Sequence, residues 1–442
     1  MTANRPSVLI IGGDPYVLRA CEPHGIDAVV LCNSGTYDDG RLTVPANSTL
    51  IRVDDVTNPE SCLTALHRAG LADRHFDAVQ TTWEFSVVTA AVLGRALGCR
   101  TIDPTTALHF RDKSLQKARL REAGVPVSRT VVIEDLYDVS DVPWEFERAV
   151  LKPIAGGGTT FTSVVRERKD LEEASRACRA ERATDRTFLL EEFVDGEEWI
   201  AEGVVFGGEV WFVGLGAYTQ PCLDAVTGQV PISLRRLDPA TEADAYRKTE
   251  PVVRAAIAAL GLQDSVFHME LFHERDSGRV VFSECAARRG GALTQEEVHA
   301  KFNVDLGEAA LLCAIGRRPE LEVKVNPKLV GCAGLYGPAG VVFGYPTQAE
   351  MLEQPQVAFA RTWVPIGAQL TTKFSATADM LAAMLLVTDS VDEFHTRVAQ
   401  LRDWFGERLL VAEPDLTRGQ LRAWQARHWP ERDCDDRLYN GG

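Results

Sequence analysis

Residues 265–272 read SVFHMELF and residues 280–291 read VVFSECAARRGG. Each segment places one glutamate, Glu270 in the first and Glu284 in the second, inside an apolar run that is typical of a strand. The turn sequence Asp276-Ser277-Gly278 lies between them. It predicts an antiparallel pair of strands with both acids facing the same side.

This pair of acids is energetically unusual. A buried carboxylate is costly without a partner, and two of them on neighbouring strands repel unless a cation lies between them. Mg²⁺ takes oxygen ligands and usually binds together with nucleotide phosphates. We therefore interpret Glu270 and Glu284 as a magnesium site that serves ATP chemistry.

The composition is that of a globular protein with a substantial core. The chain has 442 residues, of which 45% are hydrophobic and 25% are charged, and this length predicts about three domains. The net charge of −16 argues against a duplex nucleic acid or an anionic membrane as a partner, because both need a basic surface. The ten cysteines form no C-x-x-C pair, so neither a zinc site nor a disulfide framework is indicated.

The sequence shows no targeting or membrane signal. No run approaches the ~20 apolar residues of a membrane span. Residues 1–6 lead directly into a strand pattern, without the apolar stretch and cleavage site of a secretory signal. We expect a cytoplasmic protein.

The first region, residues 1–105, is predicted to be a small doubly wound α/β domain. Apolar runs at residues 7–11, 28–32 and 77–81 predict strands, and a helix is predicted from about 85 to 97. Strands that alternate with helical patterns indicate βαβ units and a parallel sheet. Gly12-Gly13 lacks the full G-x-G-x-x-G pattern, so it is read as a tight turn.

Residues 106–315 are predicted to form a mixed α+β domain, with a lid subdomain at about 125–200. Helices are expected at residues 106–123 and 251–260, and a hairpin is expected where residues 199–206 and 209–214 meet across Gly207-Gly208. The predicted remainder is a β-rich segment at 316–412, with an amphipathic helix at 390–405, and a polar tail at 413–442 to which no role is assigned.

Lys152 lies at the end of an apolar strand, directly before a glycine-rich loop that begins at Gly156. Glycines let backbone N–H groups approach anionic oxygens, and the lysine adds positive charge, although the order differs from a Walker loop. A second strand ends in Glu191-Glu192-Phe193-Val194, with Glu198 just beyond. The backbone N–H and C=O groups of such an extended segment can form hydrogen bonds with the edge of an adenine. A nearby carboxylate can accept hydrogen bonds from ribose hydroxyls.

The glycine loop after Lys152, the segment Glu191 to Glu198 and the two acid-bearing strands follow one another along the chain. In this order they resemble the ATP-grasp superfamily, over roughly residues 5–410. The strings that carry the resemblance are RDK (111–113), AGVP (123–126), LKP (151–153), LEEFVDGEE (190–198) and ECAARRGG (284–291). Within the superfamily the chain looks most like the carboxylate–amine ligases that act on amino acids, the L-amino-acid ligase group. His268-Met269-Glu270 and the β-rich C-terminal segment both favour that group.

The resemblance implies a role for each matched residue. Lys113 and Lys152 would bind ATP phosphates, Glu191, Glu192 and the backbone of Phe193 and Val194 would hold the adenine, and Glu198 would bind the ribose. Gly156, Gly157, Gly158 and Thr159 would form a mobile loop over the γ-phosphate. Glu270 and Glu284 would be the metal ligands. Arg288 would stabilise the transferring phosphoryl group, and the substrate would lie beside Glu84, Arg289, Gly290 and Gly291.

The sequence departs from the common pattern at one position. Many ATP-grasp enzymes carry an asparagine metal ligand two residues after the second glutamate, and here that residue is Ala286. The expected cofactors are therefore ATP and either one or two Mg²⁺ ions, with Mn²⁺ as an alternative cation. Mg²⁺ commonly keeps several waters, so a missing ligand need not abolish catalysis.

The predicted function is an ADP-forming ligase that activates an amino-acid carboxylate as an acyl-phosphate and joins it to an amine, often a second amino acid. His268 or a carboxylate is expected to accept the amine's proton. The alternatives are a ligase that loads an amino acid onto a carrier-protein thiol, or a carboxylase of the biotin or purine type. A homodimer is common among relatives, but the sequence identifies no interface.

Overall fold

The computed structural model describes residues 5–34, 42–46, 48–182, 184–228, 230–370 and 379–412, together with 419, 420 and 423. Its strands are β1 (Ser7–Ile11), β2 (Asp27–Asn33), β3 (Thr49–Val53), β4 (Ala78–Thr81), β5 (Thr130–Ile133), β6 (Ala149–Pro153), β7 (Ser163–Val165), β8 (Phe188–Glu192), β9 (Gly196–Phe206), β10 (Glu209–Tyr218), β11 (Ser233–Arg236), β12 (Ser265–Glu274), β13 (Val280–Ala286), β14 (Leu329–Leu335), β15 (Gly340–Gly344), β16 (Val357–Thr362), β17 (Gln369–Leu370), β18 (Ala382–Thr388) and β19 (Leu410–Ala412). Its helices are α1 (Pro15–Cys21), α2 (Pro59–Arg68), α3 (Val87–Ala96), α4 (Pro104–His109), α5 (Lys113–Glu122), α6 (Arg168–Ala180), α7 (Cys222–Gly228), α8 (Ala243–Leu260), α9 (Thr294–Phe302), α10 (Leu306–Ala314), α11 (Gln348–Leu352) and α12 (Val391–Gly406). In the part of the chain so described, no helix has the length and apolar character needed to cross a membrane.

The first region is built on a parallel sheet, as the alternating pattern predicts. Its strand order is β3-β2-β1-β4, and β1 is buried along its whole length. Parallel strands end at the same edge of a sheet, so the turn after β1 and the segment after β4 lie side by side. Asp14, which follows β1, accepts a hydrogen bond of 2.5 Å from Thr82 Oγ1 after β4, and Glu84, which also follows β4, lines a cavity of the site described below.

The segment predicted as a lid subdomain contains a separate four-stranded antiparallel sheet with the order β5-β8-β6-β7, and we refer to this segment as the lid. Helix α6 packs on one face of the sheet through Leu171 and Cys178, which lie in the same apolar cluster as Leu151 and Leu190. The sheet carries Lys152 at the end of β6 and Glu191 near the end of β8. The opposing register of β6 and β8 brings these two residues together.

The third sheet has eight antiparallel strands in the order β13-β12-β9-β10-β11-β14-β18-β16. The predicted hairpin across Gly207-Gly208 is present as β9 and β10. The β-rich C-terminal segment adds β14, β18 and β16 to the same sheet, while β17, β15 and β19 form a small sheet beside it. The strands that carry Glu270 and Glu284, β12 and β13, therefore belong to the same sheet as the C-terminal segment. Apart from residues 419, 420 and 423, the tail lies outside the described residues.

Two predicted helices differ from those observed. The helix expected at 106–123 is split into α4 and α5, because Asp112 caps a new helix by accepting hydrogen bonds from Ser114 N (2.8 Å) and Leu115 N (2.9 Å). The helix expected at 251–260 begins earlier, at Ala243, and contains Pro251 in its interior. The prediction began the helix at Pro251 because proline is typical of a first helical turn. The additional turns before Pro251 are held by the buried Tyr246, whose hydroxyl donates to Leu237 O at 3.0 Å.

Candidate active site

The cleft between the lid and the eight-stranded sheet contains the residues predicted to hold the nucleotide and the metal. Those residues are Lys113, Lys152, Gly156, Gly157, Gly158, Thr159, Glu191, Glu192, Phe193, Val194, Glu198, Glu270 and Glu284. A smaller cavity beside the cleft is lined by Glu84, His268 and Arg288, and it shares Lys113 and Glu284 with the cleft. Segments that are far apart in sequence are thus brought to one place.

Glu270 and Glu284 stand directly opposite each other in the antiparallel pairing of β12 with β13. Directly paired residues point to the same face of a sheet, so both carboxylates face the cleft. A bulge follows Glu270, a feature that often re-aims side chains next to active sites.

Two lysines neutralise Glu284. Its Oε2 lies 3.2 Å from Lys113 Nζ and 3.9 Å from Lys152 Nζ. Burial alone would raise the pKa of Glu284, but these two charges outweigh it and hold the pKa at about 2. Lys113 Nζ also donates to Gly156 O at 2.9 Å, so one ammonium group joins a metal-ligand candidate to the glycine loop.

Glu191 has both of its oxygens occupied by lysines. Oε2 lies 2.8 Å from Lys152 Nζ, while Oε1 lies 2.6 Å from Lys117 Nζ and accepts a hydrogen bond of 2.6 Å from Ser128 Oγ. Burial opposes ionisation of Glu191, but the lysines hold its pKa at about 2. Its direct partners in this structure are the two lysines, and its contact with the adenine stays a prediction.

Lys117 and Ser128 were not predicted. The Lys117 side chain is 0% exposed, and burial lowers its pKa to about 8 against the opposing pull of Glu191. One signal in the sequence could have identified it. Lys117 follows Lys113 by four residues, which places both lysines on the same face of α5.

The expected adenine hinge, Glu192 to Val194, follows β8 at the rim of the cleft. Glu192 is partly exposed and its Oε1 lies 2.8 Å from Arg129 Nη2. Phe193 N–H donates to Arg148 O at 3.1 Å. Because this N–H is already bonded, the backbone group of Phe193 that remains for an adenine is its carbonyl oxygen. The Phe193 ring also packs against the Arg148 guanidinium.

Glu198 is a buried carboxyl group within the negative field of the metal-ligand candidates. It accepts a hydrogen bond of 2.7 Å from Cys222 N. Burial and the charge of Glu270 raise the pKa of Glu198 to about 8. A carboxyl group in this position accepts hydrogen bonds from ribose hydroxyls when it is ionised, and it can also donate one when it is protonated.

His268 is held by a buried acid that was not predicted. Glu202, on β9, lies 2.5 Å from His268 Nδ1 and accepts a hydrogen bond of 3.0 Å from Gly290 N. Burial would lower the pKa of His268, but the charge of Glu202 raises it to about 10. His268 Nε2 also lies 3.6 Å from Glu270 Oε1, beside the predicted metal site. The role of His268 as acceptor of the amine's proton stays a prediction.

Glu84 joins two arginines at the edge of the smaller cavity. Its Oε1 accepts from Arg111 Nη1 at 2.8 Å, and its Oε2 accepts from Arg288 Nη2. Arg111, which was not assigned a role from the sequence, also donates to Ala155 O at the start of the glycine loop. Three separate segments of the chain therefore meet at one carboxylate.

Arg289 and Gly290 continue the wall of the site towards the first domain. Both Arg289 Nε and Nη2 donate to Asp14 Oδ2, at 3.1 and 2.9 Å. A Cβ atom at Gly290 would lie 2.6 Å from Glu202 Oε1 and 2.9 Å from His268 Nδ1, so a side chain there would displace the Glu202–His268 pair. Gly291, in contrast, borders open space.

The backbone around Ala286 is fixed by Gln116. The Gln116 amide donates to Cys285 O and accepts from Cys285 N, both at 2.8 Å. This clamp holds the backbone between Glu284 and Ala286 although the Ala286 side chain offers no ligand atom. Ala286 lines the smaller cavity beside Glu284.

The acids of the cleft form an open site for a divalent cation, in which the protein supplies only some of the ligands. Over the described residues, no three His, Cys, Asp or Glu side chains form a ready-made metal cluster. Glu270 and Glu284 nevertheless face each other, and their negative field contributes to the raised pKa of Glu198. Mg²⁺ typically takes one or two carboxylates and completes its shell with phosphates and water, which matches this donor set.

The arrangement of the sheets around the cleft is that of the ATP-grasp fold. No protein-family model matches the chain. The chain is 26% identical over 290 residues to the L-arginine-specific L-amino acid ligase of Bacillus subtilis, covering 63% of this chain and 67% of that protein. The predicted resemblance to the L-amino acid ligases is thus confirmed at the level of sequence.

Solved structures give the same result for the fold. The L-amino acid ligase from Bacillus licheniformis superposes with a TM-score of 0.76 at 20% identity, covering 94% of this chain and 100% of that one. The biotin carboxylase from Campylobacter jejuni gives 0.64 at 15% identity, covering 92% of both chains. The phosphoribosylglycinamide synthetase from Anaerococcus prevotii gives 0.63 at 14% identity, covering 93% and 100%.

Proposed function

We propose that this protein is an ATP-dependent carboxylate–amine ligase that joins an amino acid to an amine and releases ADP and phosphate. The observation that carries the proposal is the convergence of Glu270 and Glu284 with Lys113, Lys152 and Arg288 around one cleft. This set can neutralise a transferring phosphoryl group, whose chemistry depends on positioning and charge. The similarity to amino acid ligases in sequence and fold supports the choice of substrate class.

The reaction has two steps. An oxygen of the substrate carboxylate forms a bond to the γ-phosphorus of ATP, and the bond from that phosphorus to the bridging oxygen breaks, so that ADP leaves. A neutral amine then bonds to the acyl carbon of the acyl-phosphate, and the carbon–oxygen bond to phosphate breaks. The amine loses its proton to a nearby base, for which His268 or a carboxylate of the site is the expected acceptor.

Each charged residue has a place in the first step. Lys113 and Lys152 bind the phosphates, with Lys152 fixed by Glu191 and Glu191 fixed in turn by Lys117. Arg288 stabilises the charge that develops on the transferring group. Glu270 and Glu284 would hold a divalent cation, which would supply positive charge to neutralise the phosphates. Mg²⁺ fits the oxygen donors, Mn²⁺ is the alternative, and Ala286 favours one protein-held ion over two.

The remaining cleft residues bind and enclose the nucleotide. We assign the adenine to the Phe193 and Val194 backbone and the ribose to Glu198. Gly156, Gly157, Gly158 and Thr159 close over the γ-phosphate and keep water from the acyl-phosphate, which hydrolyses easily. Positive φ angles of 63° at Gly158 and 62° at Thr159 give this loop its sharp turn.

The test is to incubate the protein with ATP, Mg²⁺ and amino acids, singly and in pairs, while phosphate release and product mass are measured. The panel includes L-arginine because it appears in the name of the Bacillus subtilis relative. We expect phosphate release that depends on amino acids, a product one water lighter than the sum of its parts, and a hydroxamate when hydroxylamine is added. Release with bicarbonate but with no amino acid would instead indicate a carboxylase. A thioester formed with a pantetheine thiol, without amide, would indicate carrier loading.

A further inference from the structure

Arg288, which the reaction needs at the phosphoryl group, is engaged elsewhere in this structure. Its Nη2 donates to Glu84 Oε2 and its Nη1 donates to Arg289 O at 2.7 Å. The same cavity contains Lys113 and Glu284, so the phosphoryl site is adjacent. The arginine therefore lies beside its place of action while its terminal nitrogens are already bonded.

Glu84 itself is firmly held without Arg288. The second arginine, Arg111, binds Glu84 Oε1 at 2.8 Å, donates to Ala155 O and packs its guanidinium 4.9 Å from the Phe85 ring centroid. The Glu84 side chain is only 10% exposed. Loss of the Arg288 contact would thus leave the carboxylate in position and free one of its oxygens.

We propose that Glu84 binds the ammonium group of the amino acid whose carboxylate is activated, and that this ammonium displaces Arg288 from Glu84 and releases it for phosphoryl transfer. The inference rests on the proposed ligase function and deepens it. It names the substrate class as carboxylic acids that carry a free amino group. It also makes Glu84 the residue that links substrate binding to catalysis.

The charges at Glu84 support this exchange. One carboxylate already faces two guanidinium groups, so a third cation at Glu84 Oε2 repels them both. Arg111 keeps its contacts to Ala155 and Phe85, whereas Arg288 can exchange Glu84 for the phosphate and carboxylate oxygens that arrive with the substrates. Arg288 is therefore the partner that leaves.

The glycine loop lies over the same carboxylate. A Cβ atom placed on Gly157 would be 3.9 Å from Glu84 Oε2 and 3.5 Å from Phe85 Cζ. A substrate ammonium at Glu84 would therefore lie directly under the loop that is proposed to close over the γ-phosphate. Without a substrate, the Glu84–Arg288 pair would restrain wasteful hydrolysis of ATP.

The decisive variant is Glu84→Gln, which keeps the shape of the side chain and removes its charge. We expect ATP hydrolysis without any amino acid to rise about tenfold, the equivalent of one charged hydrogen bond, and stimulation by amino acids to disappear. The matched control is Asp264→Asn, which removes a carboxylate paired with Arg100 at 2.9 Å outside the cleft and should behave as the wild type does. Unchanged or reduced basal hydrolysis in Glu84→Gln would overturn the proposal.

A second measurement needs no variant. The wild-type protein is assayed with each active amino acid, with its N-acetyl derivative and with the carboxylic acid that lacks the amino group. We expect only the free amino acid to stimulate ATP hydrolysis, and equal stimulation by the N-acetyl derivative would overturn the role of Glu84. If no amino acid stimulates the wild type at all, the ligase function itself fails, which is a different result.

Discussion

Glu270 is the direct cross-strand partner of Glu284, and the register shifts immediately beyond this pair, where Ser283 of β13 is an extra residue between Glu284 and Phe282. Two acids at paired positions repel each other, so a strand pair chosen for stability alone would not carry them. Lys113 and Lys152 compensate Glu284 from the other side of the cleft. The two carboxylates and the two ammonium groups thus lie within a few ångströms of one another. A site that binds a metal ion together with a nucleotide needs both: carboxylates for the cation and ammonium groups for the phosphates.

Replacing Glu284 with glutamine should nearly abolish turnover. The change removes a metal-ligand charge and the common partner of Lys113 and Lys152, so we expect kcat to fall by about 100-fold or more. Phosphate release at saturating ATP measures the effect. The matched control is Glu274→Gln at the end of the neighbouring strand β12, where the carboxylate pairs with Arg279 at 3.1 Å away from the cleft. Equal turnover in the two variants would mean that the metal site is misplaced.

The local strings of the sequence were sufficient to predict the cleft, because Lys152 with its glycine loop, Glu191 to Val194 and Glu270 with Glu284 are each short and continuous. The partners of these residues were not predicted. Lys117 and Glu191 are 74 positions apart, and Glu84 and Arg288 are 204 apart, so only the folded chain shows that they meet. The split between α4 and α5 was readable, since Asp112 is a typical N-cap residue, but the helical pattern on both sides obscured it.

Replacing Lys117 with methionine should destabilise the protein. Lys117 has no exposed surface and neutralises the buried Glu191, so its loss leaves a partly compensated charge in the interior. We expect the free energy of unfolding to fall by about 3 kcal/mol, as measured by urea denaturation. Lys169→Met serves as the control, because Lys169 forms an exposed pair with Glu173 and should cost less than about 0.5 kcal/mol. A loss of that small size for Lys117→Met would show that the buried pair contributes little.

Acid should weaken the protein through Glu191 and Glu284. Both have a pKa of about 2 in the folded protein, below the ~4.3 of an unfolded glutamate. The unfolded state therefore binds more protons between these values, and stability falls as the pH drops from about 4.5 towards 2. We expect Glu191→Gln to reduce the slope of unfolding free energy against pH by up to about 1.4 kcal/mol per pH unit in that window. The exposed Glu209→Gln is the control, and parallel slopes for wild type and Glu191→Gln would contradict the assignment.

Ala286 offers the most direct test of the metal shell. An asparagine at this position would add an oxygen ligand two residues after Glu284, on a backbone that Gln116 already fixes through Cys285. We expect Ala286→Asn to lower the Mg²⁺ concentration for half-maximal phosphate release by about tenfold, since one added ligand changes metal affinity by that order. Ala286→Val adds bulk without an oxygen and separates coordination from packing. If the valine variant shifts the Mg²⁺ dependence as much as the asparagine variant does, the effect is steric and Ala286 does not border the ion. If only asparagine shifts it, the added amide oxygen acts as a ligand, and Ala286 borders a cation held by Glu270 and Glu284.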